Sequence, residues 1–392
     1  MFDEVKKSLG SVLSSIGNKE DKDFTLVVNK VEFPVLSGRV SRSIDNCADG
    51  CSAIIELNDK VKKTIVPFGY EEAQVYLGGE LVITGKLYSI EPQITESEKL
   101  LTVGIFSPSC DIVDGVRYPP YEFKEISLQQ LAEELIGDLG LVINFDESLG
   151  AQFLDRVCID PQQTIFNFLN DLAAQYGILI TSNEKGEVVF TRANTTGKPV
   201  ETIKDVVNIS AKYNGRELFA IYRVISTTPI RVKKTKKVKK RIRQKPGDPY
   251  KTIQVTKYAE AYDDAIVPVS RQTSYRADNV NMDEVAKTAE WQRSKRWAEA
   301  LTIRIPRIGW HPQGSKNLYR ENTIITLKNK DIWLEKGFNF LIKEVEYTLD
   351  KNGAMCVLGL TPPQAYTGEE IPYVFGSNSS NLLNSLKVDQ WL

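Results

Sequence analysis

Two stretches far apart in the chain share one pattern: Val103-Gly104-Ile105-Phe106-Ser107-Pro108 and Leu358-Gly359-Leu360-Thr361-Pro362-Pro363. Each stretch is preceded by a polar turn, and the turn is preceded by a strand-like segment that contains lysine and tyrosine. These segments are Gly85-Lys86-Leu87-Tyr88 in the first case and Lys343-Glu344-Val345-Glu346-Tyr347 in the second. Glycine inside a strand marks a bend or a close backbone approach, which the corners of a barrel require. The two stretches therefore predict a duplicated β-barrel. A chance likeness of two β-hairpins is the alternative.

Short strand-like segments separated by turn residues surround both hairpins. The first barrel is predicted over residues 24–115. The second is predicted from residues 196–228 and 296–366, which are separated in the sequence. Several short strands at this spacing are typical of a small barrel or sandwich. The expected fold class is mainly β with an α+β insert.

The segment 116–195 has a different pattern and is predicted to be a compact α+β domain. Ser127 precedes apolar residues at helical spacing, as an N-cap residue does. Asp160 and Pro161 are predicted to open a second helix, because proline in the first turn loses no hydrogen bond. Gly177 is predicted to end that helix, and a hairpin with its turn at 183–186 follows.

The remaining segments are predicted to lie outside the barrels. Residues 1–23 form a short amphipathic helix and a linker, because their apolar residues recur at helical spacing. This helix docks on its own domain, on a partner subunit or on a membrane surface. Residues 229–295 are an insertion with a basic arm and a helix, and residues 367–392 are a C-terminal tail. The candidate partner-binding residues of the N-terminal helix are Phe2, Val5, Leu9, Val12 and Leu13.

Composition excludes several classes of function. The 392 residues are 42% hydrophobic and 26% charged, with a formal net charge of −1, which excludes a largely disordered chain and a globally basic nucleic-acid binder. The single histidine, His311, excludes metal sites with two imidazoles, and the five cysteines are scattered without a paired zinc motif. No catalytic residue, cofactor or metal site is predicted. No apolar run approaches the roughly 20 residues that cross a bilayer, and the N-terminus does not resemble a secretory signal.

One local charge bias stands out, the basic segment that runs from Arg231 to Lys245. Such a block of like charge repels itself and is expected to form an exposed hairpin arm or a disordered loop. Three functions are open for this segment: it binds an acidic protein partner, it binds nucleic acid by neutralising phosphates, or it is merely solvated. It lacks the interleaved aromatic residues that stacking on nucleic-acid bases requires. The candidate partner-binding residues of this arm are Lys233, Lys234, Lys236, Lys237, Lys239, Lys240, Arg241 and Arg243.

Several stretches together resemble the baseplate hub proteins of Mu-like contractile-tailed phages, a group that includes late-control-D proteins and the hub part of type VI secretion spikes. The resemblance extends over most of the chain and lies in the order and spacing of segments, none of which is a catalytic signature. The matching stretches are 40–44, 79–85, 127–132, 177–183, 186–193 and 358–363. The resemblance implies two tail-tube-like β-barrels, a small α+β domain between them, and a homotrimer.

The implied function is structural rather than enzymatic. Three chains with two barrels each would form a pseudo-hexameric ring that joins the tail tube to the central spike and surrounds the ejection channel. The implied partners are further copies of the chain, a trimeric spike, the tail tube, and wedge or tape-measure proteins. DNA would pass through the lumen without specific binding, no membrane insertion is implied, and assembly in the host cytoplasm would place the protein in the virion tail. The alternatives are a nucleic-acid-binding structural protein that acts through residues 231–245, and a tail-associated cell-wall hydrolase.

Overall fold

The computed structural model describes residues 23–204, 206, 208–233, 250–263, 271–277, 282–369 and 371. The predicted N-terminal helix, the tip of the basic arm and nearly all of the C-terminal tail lie outside these residues. The predicted residues Phe2, Val5, Leu9, Val12 and Leu13 are among those left outside.

Strands dominate the chain, as the sequence predicts. The strands are β1 (Phe24–Val28), β2 (Val31–Pro34), β3 (Ser37–Ser43), β4 (Gly50–Glu56), β5 (Glu72–Leu77), β6 (Glu80–Ile94), β7 (Lys99–Phe106), β8 (Glu122–Ser127), β9 (Ile143–Phe145), β10 (Phe153–Cys158), β11 (Leu179–Ser182), β12 (Val188–Thr191), β13 (Thr202–Lys204), β14 (Ser210–Tyr213), β15 (Ile221–Lys233), β16 (Tyr250–Tyr262), β17 (Gln272–Arg276), β18 (Leu301–Ile308), β19 (Ile324–Asn329), β20 (Leu334–Asp350) and β21 (Gly353–Thr361). The helices are α1 (Asp59–Thr64), α2 (Cys110–Asp114), α3 (Leu128–Gly137), α4 (Ile165–Ala174) and α5 (Met282–Ala300).

Thirteen strands form one large sheet that contains the same arrangement twice. The first repeat, β3 to β7, has the strand order β3-β4-β7-β6-β5. The second repeat, β14 with β18 to β21, has the order β14-β18-β21-β20-β19. Both repeats therefore place corresponding strands in the same spatial order. The strands β1, β2 and β13 extend the two repeats, and β3 pairs with β20 to join them.

The two hairpins with the shared sequence pattern have the same irregularity. In the first hairpin the pairing shifts between Leu87, opposite Ile105, and Ser89, opposite Gly104. In the second hairpin it shifts between Ile342, opposite Leu360, and Glu344, opposite Gly359. An extra residue in one strand of an antiparallel pair is a β-bulge, which bends the strand and increases its twist.

Both glycines lie at crowded positions beside the bulge. A Cβ atom on Gly104 would lie 2.3 Å from the Ser89 side chain, and one on Gly359 would lie 3.1 Å from Cβ of Glu344. In each hairpin the crowding atom belongs to the residue directly opposite the glycine. Glycine therefore fits the close approach of the two strands at this point without a shift of the opposite side chain.

A turn before each hairpin also repeats. Tyr70 and Asn322 both have positive φ, at 50° and 58°. In each repeat the residue after this turn position accepts a main-chain hydrogen bond from the bulged strand. The Glu71 carbonyl accepts from Leu87 N at 3.0 Å, and the Thr323 carbonyl accepts from Ile342 N at 2.8 Å. A shared left-handed turn in non-glycine residues is uncommon, so it adds to the likeness of the two repeats.

The pairing register sets the residue correspondence of the two hairpins. The bulges align Leu87 with Ile342, so that Tyr88 corresponds to Lys343. The mainly β fold is confirmed, and the description of each repeat as a tube-like barrel stays a prediction.

Apolar side chains from both repeats form one core. Val103 and Leu358, at corresponding positions, are both fully buried in it. A second core lies within the predicted α+β region and includes Leu131 and Phe168. A third, smaller core lies between α5 and the sheet of β15, β16 and β17 and includes Tyr222.

The local predictions for the α+β region hold with one correction. Ser127 caps α3, because its Oγ accepts from Gln130 N at 3.2 Å while the Gln130 side chain accepts from Ser127 N. The second helix begins at Ile165, not at Asp160 and Pro161 as predicted. The Asp160 side chain accepts from the amide of Gln162 and forms a turn, and Thr164 caps the helix instead. The hairpin of β11 and β12 follows as predicted.

Candidate subunit interface

Within the described residues, no group of three or more His, Cys, Asp or Glu side chains could hold a metal ion. The side chains of Cys47, Cys51, Cys110 and Cys356 are buried, and that of Cys158 is exposed. Across the same part of the chain, every helix is too short or too polar to span a bilayer. The features that remain as candidates for function are the joint between the repeats, the strand edges and the basic hairpin.

The joint between the repeats is an antiparallel ladder of β3 and β20. It extends from Ser43 opposite Glu344 to Gly38 opposite Leu349. Arg39 Nη2 lies 2.5 Å from Glu346 Oε2 across the ladder. The first repeat contributes its first strand and the second repeat contributes its fourth, so two different surfaces meet.

A buried arginine fixes this joint. Arg42, on β3, is only 2% exposed and makes four polar contacts with other segments. Its Nε lies 3.3 Å from Asp49 Oδ2 and its Nη2 lies 2.7 Å from Glu321 Oε1. It also donates to two carbonyl oxygens, that of Val82 at 2.9 Å and that of Ser182 at 3.1 Å. The guanidinium thus contacts both repeats and the α+β region at once, as its planar array of donors allows.

Charge in this cluster is unbalanced, because one guanidinium faces two carboxylates. Burial alone lowers the pKa of Arg42, but Asp49 and Glu321 outweigh it and raise that pKa above its usual range. Burial raises the pKa of Asp49 to about 7, although Arg42 and the Ser182 hydroxyl, which donates to the carboxylate at 2.7 Å, oppose the rise. The pKa of Asp49 rises because it is 2% exposed and shares its cation with Glu321.

The second repeat contacts the first through further polar pairs beside the ladder. Arg320 Nη2 donates to Glu80 Oε2 at 3.2 Å, and Lys343 Nζ lies 3.8 Å from Asp45 Oδ2. Asn322 joins the second repeat to the α+β region, because its side chain accepts from Asn194 N at 2.8 Å. Arg320 and Asn322 come from the segment before β19, and Asp45 comes from the segment after β3.

The basic segment lies at the end of a long two-stranded hairpin. The strands β15 and β16 pair continuously from Ile221 opposite Tyr262 to Lys233 opposite Tyr250. The structure confirms paired strands up to the segment, and the predicted contact residues beyond Lys233 lie outside the described residues, as does the Lys233 side chain. Whether the arm binds a partner stays a prediction.

Sequence reasoning missed the arginine cluster. The stretch 40–44 contains Arg42 and was used for the family resemblance, but an arginine in a strand is usually exposed. Its partners Asp49, Ser182 and Glu321 lie far apart in the sequence, and no spacing links them. The one available signal was the alternation along β3, which places Val40 and Arg42 on the same face of the strand.

Two domain-family models match parts of the chain. The model described as "Baseplate hub protein gp44-like, second domain" matches residues 109–192. The model described as "Mu phage baseplate assembly protein GpP, fourth domain" matches residues 282–369. The resemblance to Mu-like baseplate proteins is therefore confirmed, and the second match covers α5 and most of the second repeat.

Individual tail and baseplate proteins are also similar to this chain. The chain is 23% identical over 297 residues to baseplate hub protein gp44 of Escherichia phage Mu, with 74% of each chain covered. The solved 43 kDa tail protein of prophage MuSo2 from Shewanella oneidensis matches with a TM-score of 0.69 and 20% identity, over 88% of this chain and 99% of that one. The solved tail protein from Neisseria meningitidis MC58 has a TM-score of 0.69 and 15% identity, over 88% and 98%. These tail proteins share the fold.

Removing the buried guanidinium will destabilise the protein strongly. Arg42→Met leaves two carboxylates and two carbonyls without their donor, and we expect the free energy of unfolding to fall by about 3–5 kcal/mol. Arg39→Met is the matched control: Arg39 pairs with Glu346 across the same ladder but its side chain is 61% exposed, so its loss should cost about 0–1 kcal/mol. Urea unfolding measures both, and equal losses in the two variants would contradict this role.

The stability of the protein will depend on pH through Asp49. The folded pKa of Asp49, about 7, lies above 3.8, the ordinary value of an aspartate side chain. The stability that the protonated form contributes is therefore present at acidic pH and is lost as pH rises towards 7. Asp49→Asn keeps a neutral side chain at every pH. We therefore expect the difference in free energy of unfolding, Asp49→Asn minus the parent protein, to increase between pH 4.5 and 7.5. If the free energies of unfolding of the two proteins instead change in parallel with pH, the raised pKa of Asp49 is contradicted. Asp59→Asn, at an exposed site, is the control.

Proposed function

We propose, from the relation to hub proteins of Mu-like contractile-tailed phages, that this chain is the structural hub of a baseplate. Three copies form a pseudo-hexameric ring of six repeats, which joins the tail tube to the central spike and surrounds the ejection channel. The observation that carries the proposal is the pair of matching repeats joined through β3 and β20. Each repeat corresponds to one tube-like barrel, with the α+β domain of residues 116–195 inserted between them.

The form of the joint supports a ring. The first repeat uses β3 and the second uses β20, so the contact is heterologous, that is, two different surfaces meet. A heterologous contact that recurs with a constant rotation closes into a ring or continues as a helix. Because each chain has two repeats, three chains together have six similar units. Such a ring can face a trimeric spike on one side and six-fold tube rings on the other. The number three comes from the family resemblance.

The proposed partners follow from this position. They are other copies of the chain, the trimeric spike, the tail tube, and wedge or tape-measure proteins, while DNA passes through the lumen without specific binding. We propose a virion component, assembled in the host cytoplasm, that acts as a structural protein without membrane insertion or enzymatic activity. The N-terminal segment 1–17, the basic arm of residues 231–250 and the C-terminal segment 382–392 are proposed as contact elements.

The oligomeric state tests the proposal. Each chain has a mass of 44.1 kDa, and the purified full-length protein should have three times that mass by size-exclusion chromatography with light scattering. Obligate interfaces of this kind bury large areas, so the trimer should persist on dilution. A stable monomer, or a dimer at every concentration, would contradict the proposed ring.

The basic arm is proposed to reach a neighbouring hub chain, the tube or the spike. Replacing residues 234–249 by an Asn-Gly turn should leave the trimer intact, since β15 and β16 stay paired, but reduce the number of complete baseplates formed in infected cells. A variant with the same length and neutral residues in place of the cations is the matched control for charge. Full baseplate assembly by the arm-deleted hub at high salt would contradict the proposal. Tight, salt-dependent DNA binding that the deletion abolishes would favour the nucleic-acid alternative.

A further inference from the structure

The sheet of β15, β16 and β17 packs one of its faces on α5 and turns the other outward. Tyr222 and Val224, on β15, lie in the core that this sheet shares with α5. Because neighbouring residues of a strand project from opposite faces, Ile221, Arg223 and Ile225 lie on the other side. We call that side, with the residues of β16 paired to these three, the open face.

The open face has a regular composition across β15 and β16. Its cross-strand pairs are Ile225 with Tyr258, Arg223 with Glu260, and Ile221 with Tyr262. Tyr258 and Tyr262 are 62% and 55% exposed, and the two isoleucines are half-buried. An apolar pair therefore lies on each side of a charged pair. Exposed apolar groups that lie together in this way are typical of a docking surface.

The charged pair in the middle of the open face is satisfied within the face itself. Arg223 Nε donates to Glu260 Oε1 at 2.6 Å, and the Tyr262 hydroxyl donates to Glu260 Oε2 at 2.5 Å. The guanidinium of Arg223 also lies 6.0 Å from the centre of the Tyr258 ring. Covering a carboxylate that keeps its partners costs less than covering an isolated one. The open face is therefore suited to an uncharged, apolar segment.

The last described residues of the chain and the end of β16 are held by adjacent residues of α5. Ser294 Oγ donates to the Glu369 carbonyl at 3.0 Å. Arg293 Nη1 donates to the Tyr262 carbonyl at 3.1 Å. Among the described strands, β16 is an outer strand of its sheet, so its edge offers a path from α5 to the open face.

The chain continues from this point with an apolar run, Ile371-Pro372-Tyr373-Val374-Phe375. Phe375 is six residues beyond Glu369, so an extended chain carries it up to about 20 Å from that residue. This reach exceeds the diameter of a helix, about 10–12 Å, and is enough to pass the edge of β16. The six residues after Phe375 are glycine, serine and asparagine, so the apolar run ends there.

We propose that the apolar run of residues 371–375 docks on the open face of its own chain and covers Tyr258 and Tyr262. The run has no charged residue, which matches a face whose one cation and one anion neutralise each other. The docked run covers the base of the hairpin that carries the basic segment, and it leaves residues 382–392 free for contact with partners. The contact lies within one chain and does not depend on the proposed ring.

Photochemical crosslinking in the full-length protein tests the contact. Replacing Tyr258 or Tyr262 by p-benzoylphenylalanine keeps an aromatic side chain there, and on irradiation this side chain bonds to groups that touch it. We expect both positions to crosslink to residues 371–375, identified by mass spectrometry of the band that has the mass of one chain on a denaturing gel. Tyr118, which is 82% exposed in the α+β domain, is the control position and should not crosslink to the apolar run.

Two variants of the run provide a matched comparison. Phe375→Asp introduces a carboxylate into the apolar run and should lower the crosslink yield several-fold, because covering a charge without a partner is unfavourable. Ser377→Asp introduces the same charge two residues further on, in the polar stretch, and should leave the yield unchanged. An equal loss of yield in the two variants would overturn the role of the apolar run.

The remaining outcomes decide what covers the open face. Crosslinks from both positions to other parts of the chain only, or no crosslinks, would overturn the proposal. Crosslinks to residues 371–375 in a band with the mass of two chains would assign the face to a second copy and overturn docking within one chain. None of these results bears on the hub proposal, which the mass of the purified protein tests separately.

Discussion

The ladder between β3 and β20 is the contact on which the rest of the structure depends. It joins two repeats with the same strand order, and residues about 300 positions apart, such as Arg39 and Glu346, lie side by side across it. Arg42 holds the ladder from within, because its guanidinium contacts both repeats and the α+β region. Burying the Arg42 guanidinium without its carboxylates, or the carboxylates without the guanidinium, is strongly unfavourable. The two repeats and the α+β region must therefore assemble together.

The same ladder links the fold of one chain to the proposed assembly. The contact uses one surface of the first repeat and a different surface of the second, so it is heterologous. In the proposed ring, the repetition within the chain supplies the rotation that recurs between chains.

The sequence predicted the features that depend on local signals. Ser127, with glutamine three residues later, is a capping box that specifies a helix start, and the polar turn at 183–186 specifies a hairpin. The helix predicted at Asp160 failed because Asp160 and Thr164 are both good capping residues, and the aspartate side chain satisfies a turn instead. The residue-by-residue correspondence of the two hairpins depends on a bulge in each, and composition does not reveal a bulge. Arg42 was missed because its partners come together only through pairing of distant strands, which no local pattern encodes.

The central claim is that one chain supplies two equivalent units of a six-membered ring. Electron cryomicroscopy of the purified full-length protein, viewed along the ring axis and averaged without imposed symmetry, tests it most directly. The account predicts a closed ring with six similar lobes that alternate in detail and repeat every third of a turn. A ring with three lobes, or open chains with no closure, would contradict it.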